Sequence, residues 1–454
     1  MNPPRFKCCD RDTLYLLPPS IHDWLPENHL ARFIVDVVTK LDLRPIENAY
    51  NGRGSDAYSP AMLVALLFYG YATGVFSSRK LELATYESVA FRYITANQHP
   101  DHDTIAGFRK RFLEELKPLF VQILMIAQAM GIVKLGKVAL DGTKIKANAS
   151  KHKALSWDHA CKLEQQIQAE VDSLLRQAEA AEREEIPDGM NIPEELSRRE
   201  KRLQTIDLAK QEIERRAAER YAKEQETYDQ KMAARKTKEQ ESGKKTKGRE
   251  PKPPEPGPKK TDQINLTDED SRIMPAAGGT FEQAYNAQAG VDLNTMLIVE
   301  NHVTQQPNDK QEIENTLGNL ASLPYQLGPV DTLVADSGYF SETNLHKCEA
   351  EQITPYIAVN REKHNIPLEE RFARPEPLPE DADVLTRMKH RLKTPEGKKI
   401  YAQRKSTVEP VFGIIKAIMG FRQFFLRGVE VVSGEWNLVC MAYNLKRMYV
   451  LAAK

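Results

Sequence analysis

The stretch Leu333–Phe340, LVADSGYF, decides the fold. An apolar, strand-forming run ends in an aspartate, and Ser337 and Gly338 then turn the chain. Gly136–Ile145, GKVALDGTKI, repeats the device: Val138–Leu140 reads as a short buried strand ending at Asp141, with Gly142 and Thr143 behind it. Both put one carboxylate at a strand end that opens into small residues, where open α/β sheets form their sites.

Downstream of Asp141 the pattern alternates. AYNAQAGVDL and MLIVENHVT read as adjacent strands around the turn DLNT, which takes Asp292 as a turn residue. NDKQEIENTLGNLAS reads as a helix, with Asp309 and Glu312 at capping-box spacing. The strand VDTLVAD, a helix over 341–351, the strand PYIAV, a Pro-rich loop and a helix from near Lys405 follow. Antiparallel strands followed by parallel β-α units predict an α/β (mixed α+β) fold, a mixed sheet flanked by helices.

Upstream of Ile132 the signals are helical. Ser59 stands as a possible N-cap before Pro60. ESVAFRYITANQHPDHDTIAGFRKRF reads as helix, tight turn and second helix carrying Arg109, Lys110 and Arg111. Such a helix either lies on DNA or is an amphipathic helix whose charges face water, and the pattern does not choose. Residues 151–261 shift to Glu, Lys, Arg, Gln and Ala. Leu163, Ile167, Val171, Leu174 and Ala178, then Leu196, Leu203, Ile206, Ile213 and Ala217 after the turn IPDGMNIP, recur at coiled-coil spacing. An antiparallel helical hairpin is predicted, inserted after the first strand. Its tail, Glu241–Lys260, holds seven basic against three acidic residues with Pro and Gly, the composition of a disordered linker that either lies along phosphates or meets only solvent. The predicted organisation is a helical domain over 1–132, DNA-binding if Arg109, Lys110 and Arg111 face a duplex, a sheet domain over 133–150 and 262–454, and the insertion over 151–261.

Bulk composition chooses little. The 454 residues carry 64 Lys+Arg and 64 Asp+Glu, so net charge gives no sign of a polyanionic partner. Five scattered cysteines form no C-x-x-C pair and have no ligand-spaced histidines beside them, which predicts a reduced, cytoplasmic protein without structural zinc. The N-terminus lacks the apolar run of a signal peptide. Ala57–Ser78 is uncharged and long enough to span a bilayer, but only Ala61–Phe68 is strongly apolar, so a buried helix is expected and no membrane partner.

A third carboxylate, Glu409, lies in YAQRKSTVEPVFGIIK, seven residues before Lys416 and on the same helical face; Tyr401, Arg404 and Lys405 precede it. Carboxylates brought together repel unless a cation joins them. Their hard oxygens favour Mg²⁺ or Mn²⁺, and two such ions serve an in-line phosphoryl displacement. Basic residues on the Glu helix would hold the phosphodiester backbone. Each acid also has a plain structural reading as an Asx cap or a helix-dipole partner.

At these residues the chain resembles the DDE transposases of bacterial insertion sequences, in the branch with a helical N-terminal domain and a Tyr-Arg-Glu-Lys signature. The blocks that carry the resemblance are VALDGTKIKANAS, LTDEDSRIM, AYNAQAGVD, VTQQPNDKQEI, ADSGYFSETNL, YIAVNR, VEPVFGIIKAIMGFRQFFLRG and WNLVCMAYNLKR, with YSPAMLVALLFYGYATG near the start. The resemblance implies an RNase H-like fold with Asp141, Asp336 and Glu409 as catalytic, metal-holding carboxylates over two Mg²⁺ (or Mn²⁺) ions per site. It further implies cleavage at element ends, strand transfer into double-stranded target DNA, and a homo-oligomer, a dimer on DNA, acting at the bacterial nucleoid. Tyr401, Arg404, Lys405 and Lys416 become DNA-binding residues, with one departure. The family spaces its Arg four positions before the Glu; here Lys405 stands there and Arg404 five before. Two further readings stay open: an RNase H-like nuclease without strand transfer, and a non-enzymatic DNA-binding derivative. Trp436 is expected in the core, and Trp157 is open between packing and stacking on a flipped base.

Overall fold

In the computed structural model, which describes residues 21–50, 57–180, 191–243, 248–276, 279–359, 375, 377–379 and 381–453, the runs before Asp141 and Asp336 become neighbouring parallel strands. β1 (Lys137–Lys146) pairs with β7 (Thr332–Ala335) in the register Val138 to Leu333 and Leu140 to Ala335, and β7 pairs in parallel with β8 (Thr354–Ile357). On the other side of β1 lies β5 (Phe281–Asp292), which pairs antiparallel with β6 (Ile298–Thr304) through a bulge at Gly290/Val291. The spatial order β6-β5-β1-β7-β8, antiparallel first and parallel after, is an RNase H-like mixed sheet in an α+β protein, as predicted. β1 does not end at Asp141 as expected; it runs on to Lys146, and what ends there is its pairing with the short β7.

By packing, the chain divides into two units with boundaries at Ile145/Lys146 and Tyr285/Asn286. The first holds the sheet and the helices before it: α1 (Leu30–Val38), α2 (Arg44–Glu47), α3 (Pro60–Thr73), α4 (Ser78–Glu87), α5 (Val89–Ile94), α6 (His102–Arg111), α7 (Leu113–Leu116) and α8 (Leu119–Ala129). α3 is buried from Leu63 to Ala72, which explains why it is apolar all round. No single helix among the described residues is long and apolar enough to cross a membrane; α3 and α4 reach that only together, and they are bent by 96° at the break. Ser59 takes the N-cap position of α3 but its side chain makes no capping bond, leaving Pro60 as the start signal.

Arg109 departs furthest from expectation. It is buried and donates to the Tyr71 hydroxyl at 2.9 Å and the Phe76 carbonyl at 3.1 Å; Tyr71 in turn donates to buried Glu435. A guanidinium engaged in the core is withdrawn from DNA. Arg111 donates to the Ala49 carbonyl and lies over the Tyr50 and Phe112 rings, so of the three predicted DNA-binding residues Lys110 is left exposed without such a tie.

The second unit is the insertion. α9 (Trp157–Ala180) and α10 (Ile192–Ser242) run antiparallel, as the cross-helix pairs Glu170–Arg199 and Glu164–Lys210 require. Ile167, Val171, Ile206, Ala209 and Ile213 form the seam, with Leu163, Leu196 and Leu203 packed on it, so the predicted period is realised. The IPDGMNIP turn lies largely outside the described residues. β2 (Ala154–Ser156) and β3 (Gln263–Asn265) make a small antiparallel ribbon, and β4 (Arg272–Pro275) pairs with the start of β5. The tail is not a free linker from Gly248 onward. It retraces α10, with Arg235 donating to the Gly248 carbonyl and Arg220 to the Gly257 carbonyl and the Asp262 carboxylate. Trp157 is partly buried against the seam beneath Lys210, whose Nζ lies 5.4 Å from the ring centroid.

In the first unit, the remaining helices close over the sheet: α11 (Glu312–Ala321), α12 (Glu342–Ala350), α13 (Val384–Lys393), α14 (Pro395–Gly413) and α15 (Val429–Ala452). α14 starts ten residues before the expected Lys405, because Thr394 caps the Gly397 N–H and Pro395 takes the first position. α15 is buried along most of its length; Trp436 donates to the Gln288 carbonyl, as its core reading predicted, and the Asn444 amide exchanges two hydrogen bonds with Ile298.

Candidate active site

The strand register sets the site. Asp141 and Asp336 each follow one residue behind the last paired couple, Leu140 and Ala335, so they sit side by side on adjacent strands, about 5 Å apart along the ladder direction. Asp336 caps the turn Ser337–Tyr339, its Oδ1 accepting the Gly338 N–H at 2.8 Å. Asp292 is the turn residue expected, accepting from Asn294 and from both donors of Thr295.

α14 supplies the third carboxylate and the cation that joins the set. Arg404, nearly buried, donates from one nitrogen to Asp141 Oδ2 and from another to Glu409 Oε1, both at 3.1 Å. Arg404, not Lys405, therefore meets the carboxylates; Lys405 is exposed on the same helix, and Tyr401 lies one turn before Arg404. The helix then opens into a π-turn over Ile414–Ile418, a form that recurs at functional sites. From it Lys416 reaches β1, donating to Thr143 Oγ1 and, at 3.0 Å, to the Lys144 carbonyl.

These contacts bias the charges. Burial pushes the Asp141 carboxyl up to about 6; Arg404 opposes the rise, Asp336 adds to it, the Gly142 N–H opposes it and Asp309 adds again. Arg404 is buried, which alone would lower its pKa, yet Asp141, Tyr401, Asp336 and Glu409 hold it above the ordinary guanidinium value. Lys416 is lowered by burial and by Lys144.

Asp309 is the residue that the sequence pattern concealed. Its expected capping role is absent: Gln311 takes the N-cap position of α11, and Glu312 turns to His302 and Asn315. Asp309 Oδ1 instead accepts from Lys144 Nζ at 3.3 Å, Asn286 Nδ2 at 2.6 Å and Gln288 Nε2 at 2.7 Å. Tyr339 donates to Gln288 Oε1, which turns that amide's NH₂ toward Asp309. The readable signal was Asn286 and Gln288, two amides at i and i+2 on a strand that is buried on both faces.

Gly142 is required by this arrangement. A Cβ there would stand 2.2 Å from Gln288 Nε2, 2.7 Å from Asp309 Oδ1 and 2.9 Å from Asn286 Oδ1. Among the described residues no three acids, histidines or cysteines converge closely enough to hold a metal ion, and the Arg404 guanidinium bridges Asp141 and Glu409. The donor set still fits a hard cation, since it is all oxygen, anionic and partly buried.

Residues 245–445 match the family described as Transposase DDE domain, and residues 19–111 match the family described as Transposase domain (DUF772); together they span well over half of the chain. No curated protein and no solved structure matches the chain significantly. The DDE match holds Asp336 and Glu409 but begins at residue 245, in the tail of the insertion, so Asp141 joins them through the pairing of β1 with β7. Two transposase regions in order, around an RNase H-like sheet, identify the chain as a member of the DDE transposases of insertion sequences.

Proposed function

We propose that this transposase cleaves DNA at the ends of its mobile element and joins the freed 3′-hydroxyl to target DNA, with Asp141, Asp336 and Glu409 as the metal-holding carboxylates. The observation that carries this is the meeting of Asp141 and Glu409 on one guanidinium, beside Asp336, from three separate elements of the fold. Three acids gathered around one cation are what a site for Mg²⁺ or Mn²⁺ needs, because ionised carboxylates at this spacing repel without one. When bound, a pair of such ions supplies activation of the attacking oxygen and stabilisation of the leaving oxygen of a phosphodiester.

The chain's own residues do the rest. Asp141 would enter the set as a carboxylate, and Arg404, once released from the carboxylates, would turn its planar donors to a phosphate. Lys416 fixes the start of the β1 extension and keeps Thr143 and Lys144 in place behind Asp141. Tyr401 and exposed Lys405 line the approach to α14 and are assigned to the DNA backbone, with Lys110 on α6 as a further contact. Two copies pair the element's ends on double-stranded DNA, in the bacterial cytoplasm and on the nucleoid.

The test is metal-dependent strand transfer with purified protein, Mg²⁺ and DNA carrying the ends that flank the gene, with Asp141→Asn, Asp336→Asn and Glu409→Gln as controls. Joined products are expected from wild type and from none of the three variants, with DNA binding retained. Cleavage without joining would replace the proposal with a nuclease, and binding with neither reaction would replace it with a DNA-binding derivative.

A further inference from the structure

Asp309 raises a question that the three carboxylates do not answer. One of its oxygens, Oδ1, is fixed by three donors, which is ample for an acid that only balances Lys144. The other, Oδ2, points elsewhere. It lies 3.7 Å from the place of a Cβ on Gly338, and Asp336 Oδ1 lies 2.9 Å from that same point, so the two acids share the Cβ side of Gly338. Like charges so placed disfavour each other unless a cation joins them.

A second observation points the same way. Asn286 is fully buried, its Nδ2 donates to Asp309, and its Oδ1 has no hydrogen-bond partner. That oxygen lies 2.9 Å from the Cβ place of Gly142, the residue directly after Asp141, and Asp309 Oδ1 lies 2.7 Å from the same point, so it borders the site. A buried amide oxygen left without a donor costs free energy, and a hard cation is satisfied by such an oxygen.

The position of Asp309 is also held on purpose-built supports. Buried Asn344 donates to the Lys310 carbonyl and to the Tyr339 carbonyl, both at 2.7 Å, which clamps the turn after Asp309 to the turn after Asp336. The Glu312 N–H returns to the Asp309 carbonyl, and the Glu312 carboxylate is tied to His302. Groups held to sub-ångström tolerance by their neighbours are what a ligand set requires.

We propose that Asp309 is a fourth carboxylate of the metal site, holding a divalent cation with Asp336 through Oδ2 while Lys144, Asn286 and Gln288 hold its Oδ1, and that Asn286 Oδ1 adds a neutral oxygen to the set. This rests on the metal-site reading above and extends it to a residue outside the three-carboxylate signature.

The test is Mn²⁺ binding to the full chain without DNA, by calorimetric titration, comparing wild type, Asp336→Asn and Asp309→Asn, with melting in EDTA as the folding control. Both variants are expected to lose about ten- to a hundredfold in affinity. Wild-type affinity in Asp309→Asn beside a loss in Asp336→Asn would overturn the assignment of Asp309 alone; wild-type affinity in both would remove the metal-site reading as well. A supporting residue and a ligand are separated by Asp309→Cys with Cd²⁺, since a thiolate in the set selects the softer ion. An ultraviolet cadmium–thiolate band above the wild-type signal is expected, and no added band would overturn the proposal.

Discussion

At Gly142 a single missing methyl group decides whether four side chains can share one place. Gln288 cannot yield to a Cβ without releasing both Asp309 and Tyr339, and Asn286 is locked in the same network. Gly142→Ala is therefore expected to destabilise the fold by about 1–3 kcal/mol and to abolish cleavage, read from denaturant midpoints and DNA products. An unchanged midpoint would mean that the network is loose. At this scale the sequence was half legible. Asp141 and Asp336 announced themselves because an apolar run ending in Asp and small residues has few uses. Arg404 was named beside Glu409, but its bond to Asp141 was not legible, since that partner stands 263 positions away and nothing local tells a guanidinium which acid it will meet. Asp309 was misread for a physical reason: Asp and Glu three apart before an apolar helix is also the spacing of a capping box, and local patterning favours that local explanation. Arg109 failed likewise, because a basic residue on an amphipathic helix faces water far more often than it is buried on a Tyr–Glu pair.

Between β6 and α11 lies an ionic element that titrates in an accessible range. His302 bonds Glu300 on its own strand at 2.7 Å and Glu312 on α11 at 3.0 Å, while Asn319 also donates to Glu300 and Cys440 of α15 senses its charge. Burial would lower the His302 pKa, but the Glu300 charge and the bonds to both glutamates outweigh it and hold the imidazolium up to about 9. The folded chain thus keeps a proton that the unfolded chain releases near its ordinary 6.5. Stability is full below that value and is lost as pH rises toward about 9. Denaturant midpoints should fall across this window in wild type and stay flatter in His302→Gln; equal slopes would show that the network titrates elsewhere. Strands and helices were the most legible elements, because periods of two and of three to four survive in any environment. Their ends were less so: β1 runs five residues past Asp141, and α14 starts at Pro395, since an end is set by whichever neighbour stops pairing or caps first.

The whole molecule carries no net charge, so its hold on DNA depends on where the charges lie. Lys252, Lys259 and Lys260 are exposed on the tail that retraces α10. Replacing them with Gln is expected to flatten the salt dependence of DNA affinity by up to about 0.9 in log–log slope per lysine, measured by titration at several salt concentrations. An unchanged slope would confine the tail to bracing its helix. The insertion has another consequence, which concerns the order of events in folding. Its two ends are tied together at its base, by the Lys146–Glu282 ion pair at 2.9 Å and the bond from the Ala147 N–H to the Gln283 carbonyl. Closing a floppy loop of roughly 140 residues costs about 3 kcal/mol more than closing one of five, so β1 and β5 would be slow to find each other. Contacts between neighbouring elements of a helical hairpin are more local than a strand pairing across the whole insertion, and local contacts form early. By the time its base closes, the two strands emerge side by side, and a junction distant in sequence behaves kinetically as a short turn. The hairpin is thus expected to time the assembly of the central strands, independently of anything it later does with DNA.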